Sequence, residues 1–286
     1  MPALRKLHPL FVCEVHEANL EKIHEIEKIM DQYAVAVLRD QHISDEAHIA
    51  FSRRFGELET SPHFGVGKGG KVRMRHAELF DVSNLDEDGS ILAEDDRRRA
   101  FRLANEMWHT DSSFMPGGAR YSLLHAMVVP SRGADTEFAD MRAAYDALSL
   151  QMKQQIQGLV VEHSTFYSRS LIGYQFTPEE LTRRTATPQY LVQTHPSSGR
   201  KSLYLASHAS HVVGWPLEKG RALLRELTEH ATQPHFVYVH KWRAGDLVIW
   251  DNRCTMHRAT PFPDTDERRD LRRTTVRGDL PIVHAS

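Results

Sequence analysis

Met107-Trp108-His109-Thr110-Asp111-Ser112 is where the pattern of this chain changes. Upstream, apolar residues recur three or four apart. Downstream, short apolar runs alternate and are cut by Gly- and Pro-containing turns. His109 and Asp111 are two apart. On a strand, side chains two apart share a face, so both could reach one ion from one rigid element. A second histidine, His257, follows Trp250-Asp251-Asn252-Arg253-Cys254-Thr255-Met256. Two histidines and one carboxylate are the donor set of a facial triad, which leaves one side of an Fe(II) ion open for a co-substrate and O2. His257 has to come from elsewhere in a sheet, just past a strand ending at Trp250–Asn252 and near a rim. By itself the H-x-D pair is weak evidence, because the chain holds 18 histidines and surface or core histidines account for most such tripeptides.

Working outward, Tyr121–Val129 and Thr136–Phe138 read as strands, bounded by turns at Pro116-Gly117-Gly118 and Ser131-Arg132-Gly133. Tyr145, Leu148, Met152 and Ile156 predict one helix. Residues 190–206 predict a hairpin turning at Pro196-Ser197-Ser198-Gly199. Pro216 suits the first turn of a helix carrying Leu223, Leu224 and Leu227. Phe236–Trp242 alternates, a turn at Arg243-Ala244-Gly245 leads into Asp246–Trp250, and a last strand starts near Arg269. On the N-terminal side, Leu20, Ile23, Ile26, Met30 and Tyr33 predict an amphipathic helix, followed by a strand at Ala34–Leu38. Ser44-Asp45-Glu46 is a capped, acidic helix start, with the helix running to Gly56. Residues 57–71 read as irregular. Residues 85–100, with Asp86-Glu87-Asp88 and Arg97-Arg98-Arg99, read as a solvated loop. Gly65-Val66-Gly67-Lys68-Gly69-Gly70-Lys71-Val72 nearly matches a phosphate loop. Val72 replaces the required Ser/Thr and no helix follows, so a mobile loop near a pocket entrance is expected instead. These elements predict a single domain spanning 1–286, mainly β with flanking helices, built as a double-sheet barrel.

Composition narrows the function. A net charge of −2 offers no electrostatic footprint for nucleic acid. No apolar run approaches the ~18–20 residues that span a membrane. Cys13 and Cys254 are the only cysteines. Two distant cysteines make no disulfide framework, and the N-terminus is no secretory signal, so a cytoplasmic protein with a small-molecule substrate is expected.

Glu267-Arg268-Arg269-Asp270-Leu271-Arg272-Arg273 carries the second signal. Alternation puts Arg269, Leu271 and Arg273 on one face and Arg268, Asp270 and Arg272 on the other, with Leu271 marking the inward side. Inward arginines are costly unless each meets an anion. A guanidinium grips a carboxylate with two parallel hydrogen bonds, so two carboxylates are the natural ligands. One comes from a co-substrate on the iron and one from an anionic substrate. A solvated basic strand paired with Asp264, Asp266 and Glu267 is the competing reading.

With these residues in hand, the chain resembles the taurine/2,4-dichlorophenoxyacetate dioxygenase (TauD/TfdA) family over nearly its full length. The resemblance rests on Trp108-His109-Thr110-Asp111, Gly133-Ala134-Asp135-Thr136, Met141-Arg142-Ala143-Ala144-Tyr145, Arg200 after Thr194-His195-Pro196, Trp250-Asp251-Asn252-Arg253 and the paired arginines. Ser112-Ser113-Phe114 and His208-Ala209-Ser210-His211 look like the phenoxyacetate branch. The resemblance implies a double-stranded β-helix, a jelly-roll or cupin-like barrel, using Fe(II), 2-oxoglutarate and O2. It implies that His109, Asp111 and His257 bind iron and that Thr136 and Arg269 hold the distal carboxylate of 2-oxoglutarate. Arg273 would meet the substrate's anionic group, and Asn105 would be a further substrate contact. Arg268 is the neighbouring alternative to Arg269, since a one-residue loop difference would swap them. On an aryloxyalkanoate, hydroxylation beside the ether oxygen gives a hemiacetal that collapses to a phenol and glyoxylate, with succinate and CO2 as co-products. Asp111 separates the chain from related halogenases, which lack that carboxylate. An alkylsulfonate dioxygenase, a zinc-dependent hydrolase on the same ligands and a non-catalytic barrel remain open. The resemblance is compatible with a homo-oligomer and fixes no subunit count.

Overall fold

A computed structural model describes residues 2–60, 73–182 and 185–283. The near-match to a phosphate loop at 65–72 lies outside the described residues. Among the described residues, a seven-stranded sheet runs in the spatial order Leu4–His8, Val12–Val15, Val35–Leu38, Leu247–Asp251, Ala119–Val128, Asp270–Arg277, Phe80–Ser83. A three-stranded sheet holds Val237–His240, Thr136–Asp140 and Thr255–Ala259. The two share one apolar cluster, in which Val35, Val37, Leu124, Val248, Trp250 and Leu271 of the large sheet meet Phe138 of the small one. This is the jelly roll with flanking helices that the sequence predicts.

Val35–Leu38 shows why a continuous apolar run belongs in the middle of this sheet. Val35 and Val37 point into the cluster between the sheets. Ala36 and Leu38 point the other way, into a second cluster with Ile26 and Met30 of the helix Ile23–Tyr33 and Phe51 of the helix Asp45–Arg53. A strand buried on both faces cannot alternate apolar with polar. Ala34 joins helix to strand with a left-handed φ of 64°, its N–H donating to Met30 O at 2.9 Å. Ser44 caps the next helix, its Oγ accepting from Ala47 N at 3.2 Å. That helix ends at Arg53, ahead of Gly56. Behind the small sheet, the helix Leu217–Ala231 buries Leu223, Leu224 and Leu227. No helix among the described residues is long and apolar enough to cross a membrane.

Two expectations are corrected. The single helix through Tyr145–Ile156 is two, Met141–Ala147 and Leu150–Ile156. Ser149 leaves the helical region, and its Oγ accepts from Met152 N at 3.1 Å to start the second. The 85–100 stretch is a loop, with Asp88, Glu94 and Asp95 exposed, only as far as Asp96. It leads into a helix at Arg97–Leu103 capped by Asp96. The side chains of Arg98 and Arg99 are only 13% and 17% exposed. Asp86 and Asp96 pair with Arg98 and Asp264 pairs with Arg99, so these two neutralised arginines fold inward rather than into water.

Candidate active site

His109 N donates to His257 O at 2.9 Å, and His257 N donates back to His109 O at 2.8 Å. This isolated antiparallel bridge makes the two histidines directly opposite partners. Opposite residues project to the same side, so the rings sit 4.2 Å apart, centroid to centroid. His257 lies inside the strand Thr255–Ala259, not past a strand end. The turn falls earlier, at 252–254, which frees the chain to pair again.

Strand alternation is not what positions Asp111. The residue lies in a turn, and Ser112 follows with φ 53°. A cradle of side chains from other strands aims the carboxylate instead. Asp111 N donates to Asn252 Oδ1 at 3.2 Å. Ser122 Oγ donates to Asp111 Oδ2 at 2.7 Å, and Asn252 Nδ2 donates to Ser122 Oγ at 2.9 Å. Trp250 Nε1 fixes the amide by donating to Asn252 Oδ1 at 3.0 Å. Asp111 Oδ1 then lies 4.0 Å from His109 Nε2, and Oδ2 lies 3.7 Å from His257 Nε2. One ion about 2.0–2.2 Å from each donor spans up to ~4.4 Å, so all three residues fit around it.

The electrostatics suit a divalent cation. Met107 O accepts from His109 Nδ1 at 2.8 Å, which leaves the lone pair on Nε2. Burial pushes both imidazoles below their ordinary value, so they stay neutral. Burial alone would push the Asp111 carboxyl up. Arg273, His257, His109 and the Ser122 hydrogen bond outweigh it and hold the group well below the usual carboxylate range.

Beside this cluster lies a cavity of about 120 Å³, lined by Thr136, Arg269, Arg273, Asn105, His109 and His257 among others. Arg269 is 7% exposed, and among the described residues its side chain donates only to Val82 O, from Nη1 at 3.0 Å. Burial, then the charge of Arg102, pushes its guanidinium down to about 10. Arg268 is exposed, so of the two neighbours it is Arg269 that faces the cavity. Thr136 Oγ1 accepts from Trp242 Nε1 at 3.0 Å, which leaves its hydroxyl proton free to donate. Asn105 sits on a single turn at Ala104–Glu106. Arg273 donates to Asp111 Oδ1 at 2.5 Å and lies 5.1 Å from the Phe80 ring, so in this structure it belongs to the carboxylate cradle. The solvated basic strand is not what forms: the partners are Asp45 for Arg272 and Asp111 for Arg273.

Sequence reasoning passed over Ser122, Asn252 as a cradle residue, Arg102 and Glu59. Burial pushes the Glu59 carboxyl up to about 7, against a hydrogen bond from Ser112 Oγ at 2.7 Å. Only the Trp250-Asp251-Asn252 motif signalled any of them. A second buried convergence, His195, Asp251 and Cys254, is already saturated. Asp251 accepts from Arg253 at 2.6 Å and from His195 at 2.9 Å, and burial pushes the thiol up. It braces the turn that carries Asn252.

The chain matches the model of the "Taurine catabolism dioxygenase TauD, TfdA family" over residues 5–275. It is 46% identical over 285 residues to the alpha-ketoglutarate-dependent 2,4-dichlorophenoxyacetate dioxygenase of Cupriavidus pinatubonensis, covering 96% of this chain and 98% of that protein. It is 38% identical over 257 residues to the (S)-phenoxypropionate/alpha-ketoglutarate-dioxygenase of Sphingobium herbicidovorans, covering 87% and 83% respectively. The crystal structure of AAD-2 in complex with Mn(II) and N-oxalylglycine superposes with a TM-score of 0.94 at 48% identity, over 99% of each chain.

Proposed function

The chain belongs to the TauD/TfdA family and is an Fe(II)- and 2-oxoglutarate-dependent dioxygenase, and from that premise we propose that its substrate is an aryloxyalkanoate oxidised at a centre held by His109, Asp111 and His257. Two neutral imidazoles and an ionised carboxylate, all buried, are a fitting donor set for Fe(II). The bound metal, with 2-oxoglutarate and O2, supplies the oxidising chemistry that yields succinate, CO2 and a hydroxylated substrate.

The protein's share is positioning. Ser122 and Asn252 keep Asp111 aimed at the two imidazoles, and Met107 O keeps His109 Nε2 unprotonated. Arg269 and Thr136 receive the distal carboxylate of 2-oxoglutarate. Arg273 turns part of its guanidinium to the substrate carboxylate, next to the metal, and Asn105 adds a contact from the wall. A carboxylate anchored there presents the adjoining carbon, between carboxylate and ether oxygen, to the reactive side. Hydroxylation of that carbon in an aryloxyacetate gives a hemiacetal, which releases a phenol and glyoxylate. Trp250 and Phe138 back His257 and keep water from that side. The reading takes the whole chain as one cytoplasmic domain, consistent with two buried free thiols.

The observation that carries this function is a buried His-Asp-His cluster beside a buried arginine that has no carboxylate partner among the described residues. The substrate class is supported by relatives named for phenoxyacetate and phenoxypropionate. The test supplies purified protein with Fe(II), 2-oxoglutarate and air to aryloxyacetates, both phenoxypropionate enantiomers and alkylsulfonates. Succinate with phenol and glyoxylate is expected from the aryloxyacetates. Sulfite from the sulfonates without phenol would replace the substrate class. Activity with zinc alone, and no visible charge-transfer band with anaerobic Fe(II) and 2-oxoglutarate, would overturn the triad's role.

A further inference from the structure

Arg102 lines the same cavity as Arg269 and Arg273, from the helix Arg97–Leu103. The other arginines of that wall are engaged. Arg273 donates to Asp111, Arg99 to Asp264 and Leu92 O, and Arg269 to Val82 O. The Arg102 side chain makes no hydrogen bond or ion pair with any described residue, and its Nη1 is buried without a partner among them. The carboxylates whose charge it feels are taken. Arg73 clasps Asp81 at 3.0 and 2.9 Å, and Arg98 clasps Asp96 at 3.0 and 2.8 Å. Glu106 also lines the cavity, but burial and Asp264 push its carboxyl up and no arginine holds it down.

Two guanidinium groups, Arg102 and Arg269, therefore face one small cavity and lack a carboxylate partner among the described residues. Burial disfavours the charge on each, and Arg102 adds repulsion to Arg269. Such a pair is costly until an anion lies between its members. We infer that Arg102 is a carboxylate-binding residue of this cavity, the second arm of a clamp with Arg269. The inference rests on the dioxygenase reading above. Two carboxylates of the same chemistry enter the site, the distal group of 2-oxoglutarate and that of the primary substrate. Planar, bidentate recognition suits either.

The test titrates Mn(II)-loaded wild-type, R102Q and R102K protein calorimetrically with 2-oxoglutarate and with 2-oxobutyrate, which lacks the distal carboxylate. Phenoxyacetate is then titrated into the 2-oxoglutarate-saturated forms. Losing a charge-assisted contact weakens the affected carboxylate about 10- to 100-fold, with partial recovery in R102K. Weakened 2-oxoglutarate with unchanged 2-oxobutyrate assigns Arg102 to the co-substrate. Weakened phenoxyacetate with unchanged 2-oxoglutarate would overturn the clamp, because it would place Arg102 on a different carboxylate from Arg269. Affinities all within about twofold of wild type, or an equal loss for 2-oxobutyrate together with a lowered melting temperature, would overturn the assignment. Wild-type protein that binds no 2-oxoglutarate would sink the functional reading, and the Arg102 assignment with it.

Discussion

Replacing Arg269 by Met should make the ligand-free protein more stable and the liganded protein weaker. Arg269 is 7% exposed, and its guanidinium is pushed from 12.5 to about 10 by burial and then by Arg102. At about 1.4 kcal/mol per pH unit, the folded state bears about 3 kcal/mol for keeping this charge. The sign follows from linkage. A cation whose folded pKa is depressed destabilises the fold wherever it is protonated in both states, which includes neutral pH. Methionine has a comparable length and no charge. It forfeits the single hydrogen bond to Val82 O, about 1 kcal/mol. The net expectation is a gain of about 2 kcal/mol, or roughly 3–4 °C in melting temperature for a chain of this size. The same change removes the charge-assisted grip on 2-oxoglutarate, about 1.5–3 kcal/mol, so affinity falls roughly 10- to 150-fold. Thermal melts of metal-free protein, with and without Mn(II) and 2-oxoglutarate, report both effects. Arg269→Met should start higher and shift less on adding ligand. A variant that melts lower than wild type without ligand, yet shows the full ligand shift, would refute both the uncompensated charge and its role.

Three further outcomes follow from the geometry. Arg273→Ala should raise KM for the anionic substrate about tenfold or more while leaving 2-oxoglutarate affinity and iron stoichiometry near wild type. A fall in iron stoichiometry instead would show that its main task is the bond to Asp111. Ser122→Ala removes a donor to Asp111 and strands the Asn252 amide, so Mn(II) affinity should drop roughly 10- to 100-fold. Unchanged affinity in a metal titration would leave Arg273 as the sole support of that carboxylate. The fold should weaken in acid as His48 and His163, both held down to about 3 chiefly by burial, resist protonation while the unfolded chain accepts it. Stability is full above about pH 6.5 and is lost as pH falls toward 3. Each histidine costs about 3 kcal/mol by pH 4.5. His48→Gln should flatten that acid limb in urea titrations, and an unaltered slope would count against the assignment.

Much of the architecture was legible because it is written in local periodicity. Val35–Leu38, the alternation around Leu271 and the cap at Ser44 each depend on neighbours a few residues away. The helix break at Ser149 was missed because Tyr145, Leu148, Met152 and Ile156 keep an apolar spacing across it while a single hydroxyl diverts the backbone. The inward turn of Arg98 and Arg99 was missed because their carboxylate partners include Asp264, remote in the chain.

From sequence alone came the kinds of residue able to bind a metal and two carboxylates, and the face on which Arg269 and Arg273 lie. Only the tertiary structure decided that His257 stands opposite His109, that Ser122 and Asn252 rather than strand alternation aim Asp111, that Arg273 joins that cradle, and that Arg102 turns into the cavity. Periodicity fixes which way a side chain points from its own strand. Which remote strand it meets is set by sheet register and packing, and these depend on the whole chain at once.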